Sequence, residues 1–431
     1  MTKKLLIIFI LLTATPCFGA TQQVFIGGVN EILDAAATEY AFVNGAMHRA
    51  NDNEWSANIK YVVMPTAGII DDFRVRLSAA PDNGAGTQSF TFGMLLDDAP
   101  TTISTAVSEA ATTSQDSDGF SVTAGQKVSF QDIPANTPTV SIASWSWTWN
   151  PTTEDESIWL CGSSGTDTLG TTTQYLAMHA GGGIDTVAQE KQSLISTPGT
   201  FSKLYIELSA DPGDGNTRTF AFGTVDCTVT GSAGGTNKTC NSGADTQAAT
   251  AGQTYTLIST VTGTPAATTL CCGIVFDPTT TGEWMIAFSK DTDQSAVSVH
   301  YQGISAGDES SSTTETDWYQ LGQAGTFPTP MTIEDIYVFL SAAPGVGLED
   351  RGHTLRINGV GSALNCTAAE AATTCNEQAQ AVSIANDNLL DTELDPTVGV
   401  GNNPNAAYSH VTYTAFIPPT VASARRVILT Q

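Results

Sequence analysis

Trp145, Trp147 and Trp149 alternate with Ser146 and Thr148, so on a β-strand all three indoles share one face. Aromatic rows of this kind stack on pyranose rings, which makes Trp145 and Trp147 candidate ligand-binding residues, Trp145 foremost. Sister strands later in the chain argue for packing instead. Trp149 aligns with Phe276 and Phe416, Trp147 with Ile274 and Thr414, and Trp145 with Cys272 and Thr412. Large aromatics at such positions are commonly buried.

Oxygen ligands bunch in three short loops. Asp116-Ser-Asp118-Gly, Asp211-Pro-Gly-Asp214-Gly and Asp291-Thr-Asp293 offer the carboxylates that a hard cation takes. Asp116, Asp118, Asp211 and Asp214 are therefore the candidate calcium ligands, and calcium is the one cofactor the sequence suggests. None of the loops fills a twelve-residue calcium pattern, and turns demand Asp and Gly in any case.

Catalytic patterns are missing. There is no nucleophile elbow, HExxH, P-loop or dinucleotide fingerprint, and Gly162-Ser163-Ser164-Gly165 lacks the elbow's spacing. Neighbouring carboxylates such as Asp71-Asp72 and Asp97-Asp98 point to opposite faces of a strand and form no acid/base couple. His48 and His179 both follow Ala-Met, but aligning the strands before them places His179 on Asn44, with Tyr301 or its neighbour in the third copy. Histidines in loops or at strand ends, without a fixed role, are the expectation. The sequence predicts no enzyme.

Cysteines look like staples. Cys227 and Cys240 flank a Gly/Thr-rich connection, and Cys366 and Cys375 occupy the matching place further on. A pair that comes and goes together within a repeated unit behaves as a local disulfide, in a chain whose export permits one. Cys161, Cys271 and Cys272 are left with their pairing open. Zinc would need spaced ligand pairs that are absent.

The elements that carry these residues come in three copies. Gly68–Pro81 (GIIDDFRVRLSAAP), Gly199–Pro212 (GTFSKLYIELSADP) and Met331–Pro344 (MTIEDIYVFLSAAP) write one sentence three times. Leu77, Leu208 and Leu340 are equivalent. Each copy continues through a Gly-containing turn into a strand: Ser89–Gly93, Thr219–Gly223 or Thr354–Gly359. Thr123-Ala124-Gly125-Gln126 recurs as Thr250-Ala251-Gly252-Gln253. Each copy closes on an aromatic strand that ends at Pro151, Pro278 or Pro418, and the next opens on Ile158–Cys161 or Trp284–Phe288, as the first does on Val24–Gly28. Alternation such as Phe73, Val75, Leu77 against Arg74, Arg76 gives the period of a half-buried strand. The fold predicted is all-β: three tandem antiparallel β-sandwich, jelly-roll-like modules over residues 22–152, 153–280 and 281–419. Thr367 to Ala385 is Ala- and Glu-rich and reads as a loop with one helical turn. Residues 420–431 form a tail.

Residues 1–19 have the three parts of a secretory signal: Lys3 and Lys4, the apolar run Leu5 to Leu12, and small residues up to Gly19. The run is too short to span a bilayer. A secreted, extracellular or cell-surface protein follows, the periplasm being the alternative. Net charge is −27, with 16 Lys plus Arg against 43 Asp plus Glu, so nucleic acid and anionic membranes are repelled. Only 14% of residues are charged while 41% are hydrophobic, enough to bury cores.

The run Gly-x-Ile-x-Asp through Leu-Ser-Ala-Ala-Pro, followed by a Gly turn, a strand and the later Ala-Gly-Gln, resembles modules of uncharacterised secreted bacterial and phage virion-associated proteins. The resemblance covers all three copies and carries no catalytic residue. It implies a jelly-roll-like sandwich used in surface, tail or fibre proteins. The sequence thus points to a secreted, non-catalytic structural or adhesive protein whose partner is an extracellular glycan or protein surface, or another copy of itself. A lectin-like protein and a phage tail or virion protein are the alternatives.

Overall fold

A computed structural model of the protein describes residues 22–418, apart from 30, 46–54, 83, 85, 164–166, 180–182, 291–293, 305–311, 316–329, 346–348, 398–403 and 406. The expected signal segment 1–19, the tail 420–431, His48, Asp291 and Asp293 lie outside the described residues.

Eight principal strands run through residues 22–152: Gln23–Gly28, Glu39–Ala41, Gly68–Leu77, Ser89–Leu96, Ala99–Ser108, Thr113–Asp116, Lys127–Ala135 and Ala143–Pro151. One sheet orders them first, eighth, third, sixth; the other orders them second, seventh, fourth, fifth. Both orders recur in residues 153–280, over Ser157–Gly162, Gln174–Leu176, Gly199–Leu208, Thr217–Phe222, Val225–Thr230, Thr239–Asn241, Leu257–Thr262 and Leu270–Pro278. They recur again over Glu283–Lys290, His300–Gly303, Met331–Leu340, Asp350–Ile357, Val360–Ala369, Thr374–Ile384, Leu390–Thr397 and Ser409–Phe416. All pairings are antiparallel, and this order is that of an eight-stranded jelly roll. The first, third and eighth strands of each unit are called opening, signature and closing below. No helix among the described residues is long and apolar enough to cross a membrane.

Side-chain alternation holds the signature strands in place. Phe73, Val75 and Leu77 are buried, as are Leu204, Ile206 and Leu208, and Ile336, Val338 and Leu340. The alternation breaks once, at the fifth residue of each copy. Asp72, Lys203 and Asp335 have φ of 49°, 54° and 50°. Register against the closing strand slips there, between Ser146 and Thr148, Ser202 and Tyr205, and Glu334 and Ile336. A bulge at one place in all three copies is a built feature, and simple alternation does not describe Asp71-Asp72. Burial, then the charge of Asp72, pushes the Asp71 carboxyl up to about 6.

The third closing strand departs from the expected alignment. Ile70, Phe201 and Ile333 pair with Trp149, Phe276 and Ala415, so Ala415 and not Phe416 is the counterpart of Trp149. The inward residues of that strand are Val411, Tyr413 and Ala415. Ile417 separates Phe416 from Pro418, and a one-residue slip moves every side chain to the other face. Volume compensates along the signature strand. A Cβ on Gly68 or Gly199 would lie 2.3 Å from the Trp149 ring or 2.4 Å from the Phe276 ring, whereas small Ala415 goes with Met331.

Thr367 to Ala385 is likewise corrected. It is the end of Val360–Ala369, a tight turn, and the eleven-residue strand Thr374–Ile384. Most of that second strand is exposed on both faces, so no apolar period marks it in the sequence.

Three disulfides tie the sandwiches: Cys161–Cys272, Cys227–Cys240 and Cys366–Cys375. The last two join a fifth strand to a sixth, and so one sheet to the other. The register that pairs Phe220 with Cys227 and His353 with Cys366 pairs Phe92 with Thr105. The register that pairs Ile206 with Cys240 and Val338 with Cys375 pairs Val75 with Ser114. Thr105 and Ser114 thus hold the disulfide position in the first unit, joined by a hydroxyl–hydroxyl bond of 2.5 Å. The double substitution Thr105→Cys with Ser114→Cys is expected to form a fourth disulfide and to stabilise by about 2.5–3 kcal/mol through loop entropy. Urea unfolding of the oxidised variant against the oxidised native protein measures it. Free thiols persisting in the oxidised variant would refute the equivalence.

Candidate functional site

Opening strands do more than begin each sandwich. Gln23–Gly28 and Ser157–Gly162 are buried along their whole length. Phe25 joins the core of the first sandwich, while Val24 and Ile26, facing the other way, join the core of the third. Ile158 and Leu160 join the first core, although their neighbours Trp159 and Cys161 belong to the second. Met285 and Ala287 join the second core, and Trp284, Ile286 and Phe288 the third. Each sandwich lends one strand face to the sandwich before it, and the first lends to the third. The three close into a ring.

Polar contacts follow the same cycle. The Gln23 side-chain amide donates to the Ile158 carbonyl at 3.0 Å and accepts from the Ile158 N–H at 2.8 Å. Asn44 Nδ2 donates to the Leu160 carbonyl at 2.8 Å. Thr66 donates to Glu156, which also meets Lys203. At the next junction Thr197 donates to Glu283, Thr412 to the Leu194 carbonyl and Thr414 to Ser196. The seventh signature residue serves every junction. Tyr205 packs on Gly125, where φ is +87° and a Cβ would lie 2.7 Å from the Tyr205 hydroxyl. Tyr337 lies more loosely over Gly252, where a Cβ would be 3.9 Å from its ring, and Arg74 forms a 2.6 Å ion pair with Asp387 where the ring closes.

All three opening strands line one cleft, with a cavity volume of about 50 Å³. Val24, Ile26, Leu160, Met285 and Ala287 make it apolar, and Gln23, Asn44 and His179 supply its polar groups. His179 Nδ1 lies 3.0 Å from Ser193 Oγ, which already accepts the Met178 N–H at 3.2 Å. Among the described residues Nδ1 is the acceptor that the Ser193 hydroxyl hydrogen meets, so the tautomer that pairs both groups has Nδ1 accepting and carries the proton of the neutral imidazole on Nε2. Burial, then the charges of His410 and Lys191, holds the His179 pKa down at about 3, so the ring stays neutral. His179 Nε2 and Asn44 Oδ1 have no hydrogen-bond partner among the described residues. A neutral donor and a neutral acceptor in apolar surroundings can hold a small uncharged polar group.

Other sequence candidates lie elsewhere. Trp145 and Trp147 are 0% exposed, and both donate to the Val43 carbonyl at 2.8 Å. Their rings pack against Phe130, Trp55 and Phe25, so the row offers no face to a sugar. The Asp116 carboxylate accepts from the Ser104 and Asp118 N–H groups. Asp211 accepts from the N–H groups of Gly213, Ser232 and Asn237 and from the Ser232 hydroxyl. Against the opposing effect of desolvation, those bonds hold its pKa below the usual carboxylate range. The structure shows both as turn anchors. Asp118 and Asp214 sit in the same two turns, and no group of three or more His, Cys, Asp or Glu able to hold a metal occurs among the described residues.

His179, His353 and His410 are buried, His179 in the turn after Gln174–Leu176, His410 at the second residue of Ser409–Phe416 and His353 inside the strand Asp350–Ile357. Arg218 and Arg351 are also buried and tie loops together, Arg218 through the Leu169 and Ala266 carbonyls, Arg351 through Gln294, Ser295 and Asn405. The cleft escaped the sequence because its walls come from three strands far apart in the chain. The one hint was the alignment of Asn44 with His179.

No protein-family model matches the chain, and no curated protein does. Among the solved structures that resemble it distantly are two. One is the M60 catalytic domain with the CBM51-1 and CBM51-2 domains of Clostridium perfringens ZmpB, at 9% identity and TM-score 0.18, covering 90% of this chain. The chain spans 38% of that protein's length. The other is from Sulfolobus Turreted Icosahedral Virus, at 10% identity and TM-score 0.17, covering 94% of this chain and 99% of that one. Likeness at this level carries no argument about role.

Proposed function

We propose that the protein is a secreted, non-catalytic structural or adhesive protein, a rigid ring that presents its outer loops to an extracellular partner. The observation that carries this reading is the closed cycle of opening strands, each buried in the core of its neighbour. Such a cycle opposes hinging between the sandwiches and favours fixed placement of the described loops. Three disulfides suit an oxidising compartment. A net charge of −27 keeps the surface away from nucleic acid and anionic lipid. Self-association is the second reading, since Val360 is 67% exposed on the edge strand Val360–Ala369, and open edges pair between chains.

The test is the mature chain, residues 20–431, made in an oxidising compartment and examined by light scattering and on a glycan array, with and without calcium. Discrete particles that resist proteolysis as one block, silent on the array, are the expected result. Array binding abolished by a chelator would transfer the protein to the lectin-like class and restore the calcium loops. Independent cleavage into three freely moving sandwiches would sink the rigid-ring reading.

A further inference from the structure

We propose that the cleft at the centre of the ring binds the acetamido group, CH3–CO–NH–, of a small molecule. His179 Nε2–H donates to its carbonyl oxygen, Asn44 Oδ1 accepts from its N–H, and the methyl lies among Val24, Ile26 and Met285. Both side chains line the cleft, both are more than nine-tenths buried, and neither atom has a partner among the described residues. Other buried polar atoms also lack a partner among the described residues, and what sets these two apart is that both line the cleft.

Three observations narrow the chemistry. The described lining holds no charged side chain, so an ion there would be desolvated without compensation from it. Tethering fixes the two polar atoms as one donor and one acceptor: Asn44 Nδ2 is spent on Leu160, and His179 Nδ1 on Ser193. Finally, the ring already binds a carboxamide at this axis. Gln23 lays its amide against the backbone N–H and carbonyl of Ile158, and its counterparts Ser157 and Trp284 make no such bond.

Acetamide and N-acetylglucosamine both carry the group, and the experiment separates the sources. The full mature chain is titrated with acetamide, N-acetylglucosamine, glucosamine, glucose and acetate. The readouts are the fluorescence of Trp159, whose ring sits 6.0 Å from that of His179, and the ring-nitrogen NMR shifts of His179. For so small a ligand the expected Kd is on the order of 1 mM. Acetamide is expected to saturate a His179 Nε2 shift, with N-acetylglucosamine competing and the three other compounds inert. Acetamide alone binding would assign the site to a free amide or a non-sugar donor of the same group. His179→Leu and Asn44→Leu are each expected to weaken binding about tenfold or more. Selectivity of the unaltered protein for acetamide over acetate needs no variant and guards against misfolding. Absence of any saturable His179 shift, or equal responses to glucose, would overturn the proposal and leave the structural reading untouched.

Discussion

Replacing Asp132 with asparagine is expected to stabilise the protein at pH 8 by on the order of 4–6 kcal/mol and to change little at pH 4. Asp132 is completely buried, and Glu39 is its cross-strand partner. Burial first, then the charge of Glu39, pushes its carboxyl up to about 8. Glu39 is raised too, chiefly by its own burial. The sign follows from proton uptake. An acid whose folded pKa lies above its unfolded value binds more protons when folded. Stability is then highest at low pH and falls as pH climbs from about 4 towards 8. Asp71 and Asp335, each raised to about 6, add to the slope in its lower half. Urea unfolding of both proteins between pH 4 and 9 reads the effect. A flat profile in the native protein, or one unchanged by Asp132→Asn, would show that the carboxyl is ionised in the fold.

Leu160→Ala should destabilise by about 3–4 kcal/mol, and the damage should appear in the wrong sandwich. Leu160 is 1% exposed and belongs by chain to the second unit, but it packs in the core of the first. Hydrogen exchange is therefore expected to speed up around Phe130 and Trp145 as well as in the strand Ser157–Gly162. Val225→Ala is the control, a buried residue of the second core. Its effect should stay within residues 153–280. Protection in the first sandwich that survives Leu160→Ala would break the ring into independent beads.

What the sequence revealed depended on period. Three signature strands at a constant spacing disclosed the repeats, and the two cysteine pairs disclosed the staples, because both are local patterns copied at fixed offsets. Alternation located the signature strands down to individual buried residues. It failed where neither face, or both faces, of a strand is covered. Thr374–Ile384 is exposed on most of its length and so resembled a loop. Trp145 and Trp147 lie on a strand buried throughout and so resembled a display. Phe416 misled because Pro418 was used as an anchor, and one added residue reverses the facing of a strand. The cleft was least visible of all, since Asn44, His179 and Met285 meet only after the ring has closed.

Ring closure within a single chain also lifts a constraint that symmetry would impose. Three identical subunits around an axis must repeat every group three times, so a lopsided ligand on that axis could choose among three equal poses. Here the equivalent positions have diverged. Asn44 faces the axis where the next copy has His179, and Gln23 stands where the others have Ser157 and Trp284. Tyr205, Tyr337 and Arg74 likewise give each seam its own chemistry. Fusion thus turns a threefold axis into an address with one orientation, where an asymmetric molecule can bind in a single way at full occupancy.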